Sequence, residues 1–418
     1  MKSRSLKHAT SLLLLTFFFM TARSGHAQSY KVLYRFPGPP NGKLPNAHLI
    51  AGKVKGNLSL IGTTEEGGKY CANSPTCGIV FSFSLRGGET VIYRFTGHLD
   101  GYGASGGIAI DSQANAYGLA GGGGTGCGGP GCGTVFKIDN PNGTFSELYS
   151  FAGPPNDGEY PTGTLLWDPV RGNFYGVTLF GGINGIGEGT VFSITPSGTE
   201  TVLYNFCSVP NCADGQRPVE GLVEDAEGNL YGVTLYGGSG NPACDGMTCG
   251  TVFKLDSAGH ETVLHSFTNG VDGGLPQAGL VSDGQGNLYG AASQGGNQNP
   301  ECNGGCGTVF KIDSSGKFSV IHSFSGPDGA TPAHGSMAWN AKTSMLYGAT
   351  TGGGQATGPG VIFQMDTSGN ETVLHSFQGD IEGDLPNLGV ILDSSGNIYG
   401  TTLSGGYGER GIIFRLIP

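Results

Sequence analysis

Acidic side chains recur four residues ahead of a proline: Asp157 before Pro161, Asp214 before Pro218, Asp272 before Pro276, Asp328 before Pro332 and Glu382 before Pro386. Asp100 holds the same place without the proline, and Asn41 fills it at the first occurrence. Carboxylates at one repeated position would form a ring able to hold a cation or a polar ligand. Each is also followed by Gly, and Asp-Gly starts tight turns in which the carboxylate caps backbone N–H groups. Repetition along the chain favours that structural role. Less regular are His48 and His334, near segments where other repeats carry Gly or Ala. With Arg217, Glu220 and His98 they could line the mouth of a central channel, where acid–base work would require them within reach of one substrate atom.

Other chemical signals are weak. His265, His322 and His375 share a repeat position with Tyr34, Tyr93, Tyr149 and Tyr204, and a place that accepts either ring is a packing place. Residues 121–133 (GGGGTGCGGPGCG) lack the Lys-Ser/Thr pair and the following helix of a phosphate loop. No G-x-S-x-G elbow or H-E-x-x-H pair occurs. Trp167 and Trp339 stand at matching positions, where burial is favoured over service as sugar-stacking platforms. No catalytic residue, cofactor or metal is expected.

The ten cysteines form five local pairs: Cys71/Cys77, Cys127/Cys132, Cys207/Cys212, Cys244/Cys249 and Cys302/Cys306. An even count in an exported chain points to disulfides. Closing such short loops stabilises about 2 kcal/mol each, so their role is loop rigidity. Paired-cysteine zinc sites need four ligands, usually at C-x₂-C spacing; here the spacings are longer and the pairs belong to different repeats.

The elements that position these residues are set by repetition. G-[TVI]-[VI]-F starts at Gly78, Gly133, Gly189, Gly250, Gly307, Gly360 and Gly411. A Gly pair after each Y-G-type strand and a terminal Phe (Phe36, Phe95, Phe151, Phe206, Phe267, Phe324, Phe377) also recur seven times. The period, roughly 51 to 61 residues, suits propeller blades. Each unit reads as four short strands, as in residues 261–267, 279–283, 288–292 and 307–313, with Gly-rich turns between them. The fold expected is all-β: a seven-bladed β-propeller of four-stranded antiparallel blades. Small residues such as Gly107, Gly221 and Gly279 place their strand innermost. The strand over residues 31–36 is then outermost, and it should close the ring by joining the last blade.

Residues 1–27 read as a secretory signal, with Lys2, Arg4 and Lys7 before an apolar core at 12–20 and small residues at Gly25 and Ala27. That core is shorter than the ~20 residues a membrane span needs. Residues 28–418 would form one domain, secreted or periplasmic, with no transmembrane segment or C-terminal anchor and with a monomer expected. The whole chain carries 21 basic and 32 acidic residues. Removing the signal takes away four basic residues and no acidic ones, leaving 17 against 32 and a net charge near −15. Nucleic acid is excluded as a partner on that charge.

The G-T-V-F-K-[IL]-D, G-N-L-Y-G-x-T-x-x-G-G and D-G-x-x-P elements resemble the GloVer-type tandem repeats of secreted bacterial proteins, and P-x-x-G-L-V-x-D-x-x-G-N-L-Y is similar to NHL-type propeller repeats. The resemblance spans the mature chain and implies a secreted repeat protein with no catalytic residues to carry over. Members of that family often carry a C-terminal surface-anchoring segment, and none is expected here. The leading functional expectation is a non-catalytic propeller binding an extracellular ligand, a glycan or an envelope protein, through its disulfide-bearing loops. A lyase or hydrolase with its site at the channel mouth is the alternative, and a purely structural envelope protein is the third.

Overall fold

Strong β-formers alternate with small residues, and most strands that result are short. The computed structural model describes residues 28–418 apart from 47, 55–56, 69–76, 87, 105, 140–142, 184–187, 241–243, 245–246, 298, 301, 303 and 355–357. The signal reading at 1–27 and the Cys71–Cys77 pairing therefore fall outside the described residues. Seven antiparallel sheets form a seven-bladed β-propeller. Blades 1 to 6 span residues 50–94, 109–150, 158–205, 216–266, 281–323 and 330–376. In blade 3 the strands run outward as Gly158–Asp168, Asn173–Gly181, Thr190–Ile194 and Glu200–Asn205. Blade 6 departs slightly, with its inner strand split into Ala330–Pro332 and Ala338–Asn340. The only helical turns among the described residues are 3₁₀ pieces at Pro210–Cys212 and Asp380–Glu382.

Blade 7 closes the ring as the repeat order requires. Its inner three strands are Ile391–Leu392, Ile398–Thr402 and Ile412–Ile417, and Ser29–Arg35 supplies the fourth. Ser29 pairs with Ile417 and Arg35 with Ile412. The two ends of the described chain thus share one sheet.

The recurrent Phe residues bind blade to blade. The Phe ending each outer strand meets the G-x-x-F Phe of the next blade edge to face, from Phe36–Phe81 to Phe377–Phe414, with centroids 5.0–5.6 Å apart. All fourteen rings are at most 1% exposed. Such pairs add ~0.5–1.5 kcal/mol each beyond their buried area. The glycine of each Y-G motif faces the same ring across the ladder, as Gly176 faces Phe192. A Cβ on Gly176 would lie 2.6 Å from Phe192 Cζ. The ring needs that space.

A second lock runs along the loop-rich face. The residue before each repeated proline has a left-handed backbone: Leu44, Tyr160, Arg217, Leu275, Thr331 and Leu385, with φ between 51° and 58°. That conformation costs a non-glycine residue ~1–2 kcal/mol. Here it turns each N–H back to a carbonyl of the preceding blade, such as Tyr160 to Cys132 at 2.8 Å and Arg217 to Glu188 at 2.7 Å. Leu44 reaches Arg410 at 3.0 Å and repeats the contact across the closure.

Candidate functional site

The repeated carboxylates cap turns. Asp157 accepts hydrogen bonds from the Ala152 N–H at 2.7 Å and the Tyr149 hydroxyl at 2.8 Å. Asp100 holds Thr96 N–H and Tyr93, and Asp214 holds Ser208 N–H and Tyr204. His265 and His322 do the work of tyrosine in the next two blades, each with Nε2 at 3.1 Å from Asp272 or Asp328. Asp157 and Asp214 are only 5% and 2% exposed, and Asp100 9%. Asp100 and Asp157 spend both carboxylate oxygens within their turns, and Asp214 holds its partners through Oδ2 alone. Glu382 differs, because its backbone carbonyl accepts the Tyr30 hydroxyl at 2.6 Å. His375 has no carboxylate partner and stacks on Tyr30 at 3.9 Å.

Sequence reading missed what lies on the other side of these rings. The first residue of the next outer strand packs there, either an aromatic (Phe145 on Tyr93, Phe318 on His265) or a glutamate. Burial, reinforced by Asp157, pushes the Glu200 carboxyl up to about 7, and burial with Asp214 does the same for Glu261. Glu371 reaches about 7 mainly through burial, with Asp328 raising it and His322 opposing. A carboxyl raised in the folded state above its unfolded value stabilises most below pH 4.5 and loses that contribution as pH rises through 7. Burial lowers His265, His334 and His375, the last to about 4. Those imidazoles act oppositely, losing stability as pH falls below 6.5. Above pH 6.5 the glutamates outweigh the imidazoles, whose remaining gain is about half as large, so the urea midpoint should still fall from pH 6.5 to 8.5. Discounted for solvent screening of half-exposed groups, this amounts to about 0.5 kcal/mol or less per glutamate. In the triple variant Glu200→Gln, Glu261→Gln, Glu371→Gln the decline should vanish; a decline of unchanged size would contradict the assignment.

Of the irregular polar residues, three gather at the axis and two do not. His48 Nε2 lies 3.4 Å from Glu220 Oε2, joining blades 1 and 4. The same nitrogen accepts the Ser336 N–H at 3.3 Å, adding blade 6. One nitrogen cannot both accept from Ser336 and donate to Glu220, so this is a bridging contact rather than a free general base. His334 is near enough for the Glu220 charge to offset part of the downward shift that burial imposes. Small residues fill the space around them. A Cβ on Gly107 would sit 2.1 Å from Thr164 Oγ1, and one on Gly279 2.3 Å from Ser336 Oγ. His98 stands exposed on a loop, apart from the axial contacts.

Arg217 goes elsewhere, into an aromatic row that the repeats do not announce. Its guanidinium carbon is 5.3 Å from both the Phe180 and Tyr236 ring centroids. Phe180 meets Tyr160 edge-on at 6.2 Å. The Tyr160 and Tyr102 rings lie over the glycine run: a Cβ on Gly121 would come 2.9 Å from Tyr160 Cζ, and one on Gly122 2.2 Å from Tyr102 Cζ. Trp167 and Trp339 take no part, packing on Phe174 and Tyr289.

Four disulfides are present among the described residues: Cys127–Cys132, Cys207–Cys212, Cys244–Cys249 and Cys302–Cys306. Three fix loops between the second and third strands of a blade. Cys207–Cys212 fixes the entry to blade 4 on the same face. Cys127, Cys132 and Glu159 are grouped closely, but the disulfide leaves no thiolate for a metal.

Seven closed blades with stapled loops on one face define a repeat β-propeller. The chain belongs to the Gloeobacter/Verrucomicrobia repeat family, whose model matches residues 16–244, 208–337 and 300–418. No curated protein matches the sequence. An oligogalacturonate lyase from Vibrio parahaemolyticus shares the fold at 8% identity and a TM-score of 0.56, over 94% of both chains. A protein of unknown function from Desulfotomaculum acetoxidans aligns over 77% of this chain and 84% of its own, at 13% identity and a TM-score of 0.45. A chain of a nidogen/laminin complex aligns over 65% and 83%, at 14% and 0.41. Among the described residues no helix is long and apolar enough to cross a membrane.

Proposed function

We propose that the protein is a secreted, non-catalytic propeller that binds an extracellular glycan or envelope component through its disulfide-bearing face. The distribution of exposed apolar side chains carries this reading. Of the eleven large ones among the described residues, eight lie on that face: Leu99, Tyr160, Ile183, Val209, Val271, Ile381, Leu385 and Tyr407. Leu58, Leu85 and Val170 are on the opposite rim. Apolar surface gathered on one face marks interaction, and short disulfide loops reduce the ordering cost of binding. Disulfides also suit an oxidising compartment. The enzymatic alternative draws on the His48–Glu220–His334 cluster, but His48 is engaged by Ser336 and the axis is closely filled.

Biolayer interferometry against soluble glycans and isolated envelope polysaccharide tests the proposal. Saturable binding should weaken at least tenfold in Val271→Asp/Tyr407→Asp and stay unchanged in Val170→Asp. No saturable binding, or equal loss in all variants, would defeat the proposal.

A further inference from the structure

The symmetry of the loop face breaks most strongly across blades 2 to 4. At the position before the repeated proline, other blades carry Leu44, Leu275, Thr331 or Leu385, whereas blades 3 and 4 carry Tyr160 and Arg217. Phe180 and Tyr236, from the second strands of the same two blades, stand on either side of Arg217. The left-handed backbone at Tyr160 and Arg217, pinned to Cys132 and Glu188, fixes where both side chains begin. The Cys127–Cys132 disulfide holds the loop supplying the Cys132 carbonyl.

Arg217 has unspent bonding capacity. Three other arginines spend guanidinium hydrogen bonds, Arg171 on Asp168 and Glu224, Arg94 on the Pro40 carbonyl and Asn41, and Arg35 on the Ile381 carbonyl, although the Arg35 and Arg415 Nε atoms are also unpartnered. Arg217 makes only ring contacts through its guanidinium, and its buried Nε has no hydrogen-bond partner. A guanidinium held between aromatic faces keeps its charge and its planar fork, the geometry that accepts a carboxylate through two parallel hydrogen bonds. Beside it, Tyr160 is 41% exposed while its ring rests on Gly121. A flat ring backed by backbone and open to solvent suits the apolar face of a pyranose. The residues passed over as a phosphate loop provide its floor.

We propose that Tyr102, Tyr160, Phe180, Arg217 and Tyr236 form a subsite for a uronic-acid residue within a glycan. This rests on the loop-face binding proposed above. The sugar ring lies on Tyr160 and the carboxylate meets Arg217. Without residues 1–27 the net charge is near −15, which repels a dense polyanion, so the fitting ligand is a glycan with scattered carboxylates.

The test uses the whole protein with glucuronoxylan, alginate and hyaluronan, each beside its carboxyl-reduced form, by titration calorimetry. Glucuronoxylan should bind at least tenfold tighter than its reduced form, and alginate, with a carboxylate on every residue, should bind more weakly than glucuronoxylan. Arg217→Lys should lose about tenfold, because an ammonium lacks the planar fork, and Tyr160→Ala a similar factor. Tyr160→Phe should retain binding, and melting temperatures should show every variant folded. Indifference to carboxyl reduction, or binding unaffected by Arg217→Lys, overturns the subsite. If the ridge variants bind normally while Val271→Asp/Tyr407→Asp does not, the subsite falls and the loop-face reading stands. If none of the three glycans binds, the uronate assignment is wrong, and the envelope fractions decide the broader reading separately.

Discussion

A chain beginning at Pro37 is expected to lose cooperative folding, whereas one beginning at Gln28 should unfold cooperatively. The first deletion removes Ser29–Arg35, the outer strand of blade 7, together with Phe36, which is fully buried against Phe81 of blade 1. Phe36 alone contributes about 2–3 kcal/mol of burial, and the half-buried Tyr30, Val32 and Tyr34 add about 1 kcal/mol each. A loss of about 5 kcal/mol is comparable with the whole stability of many proteins. Deletion also leaves Ile412–Ile417 (IIFRLI) as an unpaired, strongly apolar edge, a template for aggregation. Size-exclusion chromatography and thermal unfolding decide the matter. A monomeric truncated chain melting within a few degrees of the full one would show that Ser29–Arg35 is not what closes the ring.

The blade count was legible because the G-x-x-F and terminal Phe motifs are inter-blade contacts repeated at one geometry. Each half of a Phe pair must recur for the other to be buried, so the fold prints itself seven times. Ring closure followed from where the unit is cut. The Tyr/His–Asp pairing was hidden because its spacing varies, from six residues at His322–Asp328 to ten at Tyr204–Asp214. The loop between can lengthen so long as the phenol or imidazole still reaches the carboxylate. The glutamates raised to about 7 were hidden for a related reason. Their burial comes from the preceding blade, about 50 residues away in sequence.

The axial and loop-face residues were legible only in part. His48, Glu220 and His334 stood out as departures from the repeat, and the ring brings them together because inner strands converge there. Arg217 departed from the repeat too, but its left-handed backbone turns it to the loop face. Its neighbours Phe180 and Tyr236 come from another repeat position, so no spacing rule joins them. The glycine run was read only as lacking the Lys-Ser/Thr pair and helix of a phosphate loop. Its packing beneath Tyr102 and Tyr160 depends on the approach of side chains from the loop before blade 2 and from the next blade.

The first glycine of the G-x-x-F motif offers the sharpest test of blade-to-blade locking, at Gly189 between blades 3 and 4. Its φ is +87°, and a Cβ would lie 2.3 Å from the Thr178 carbonyl oxygen and 2.5 Å from Pro218 Cδ. Neither neighbour is the free end of a flexible side chain. Gly189→Ala should therefore combine backbone strain of about 1–2 kcal/mol with a steric cost of similar size or more, about 3–5 kcal/mol in all. At this chain length that corresponds to a melting temperature lower by roughly 5 °C. Gly172→Ala is the comparison: φ is +70°, nothing lies within 4 Å of the added carbon, and only about 1 kcal/mol is expected. Pro218→Ala removes the Cδ but not the carbonyl. In Gly189→Ala/Pro218→Ala the losses should therefore sum to less than their separate values by about 1–2 kcal/mol. Strict additivity would mean that proline and glycine do not meet across the blades, and equal losses at Gly172 and Gly189 would reduce the motif to a turn preference.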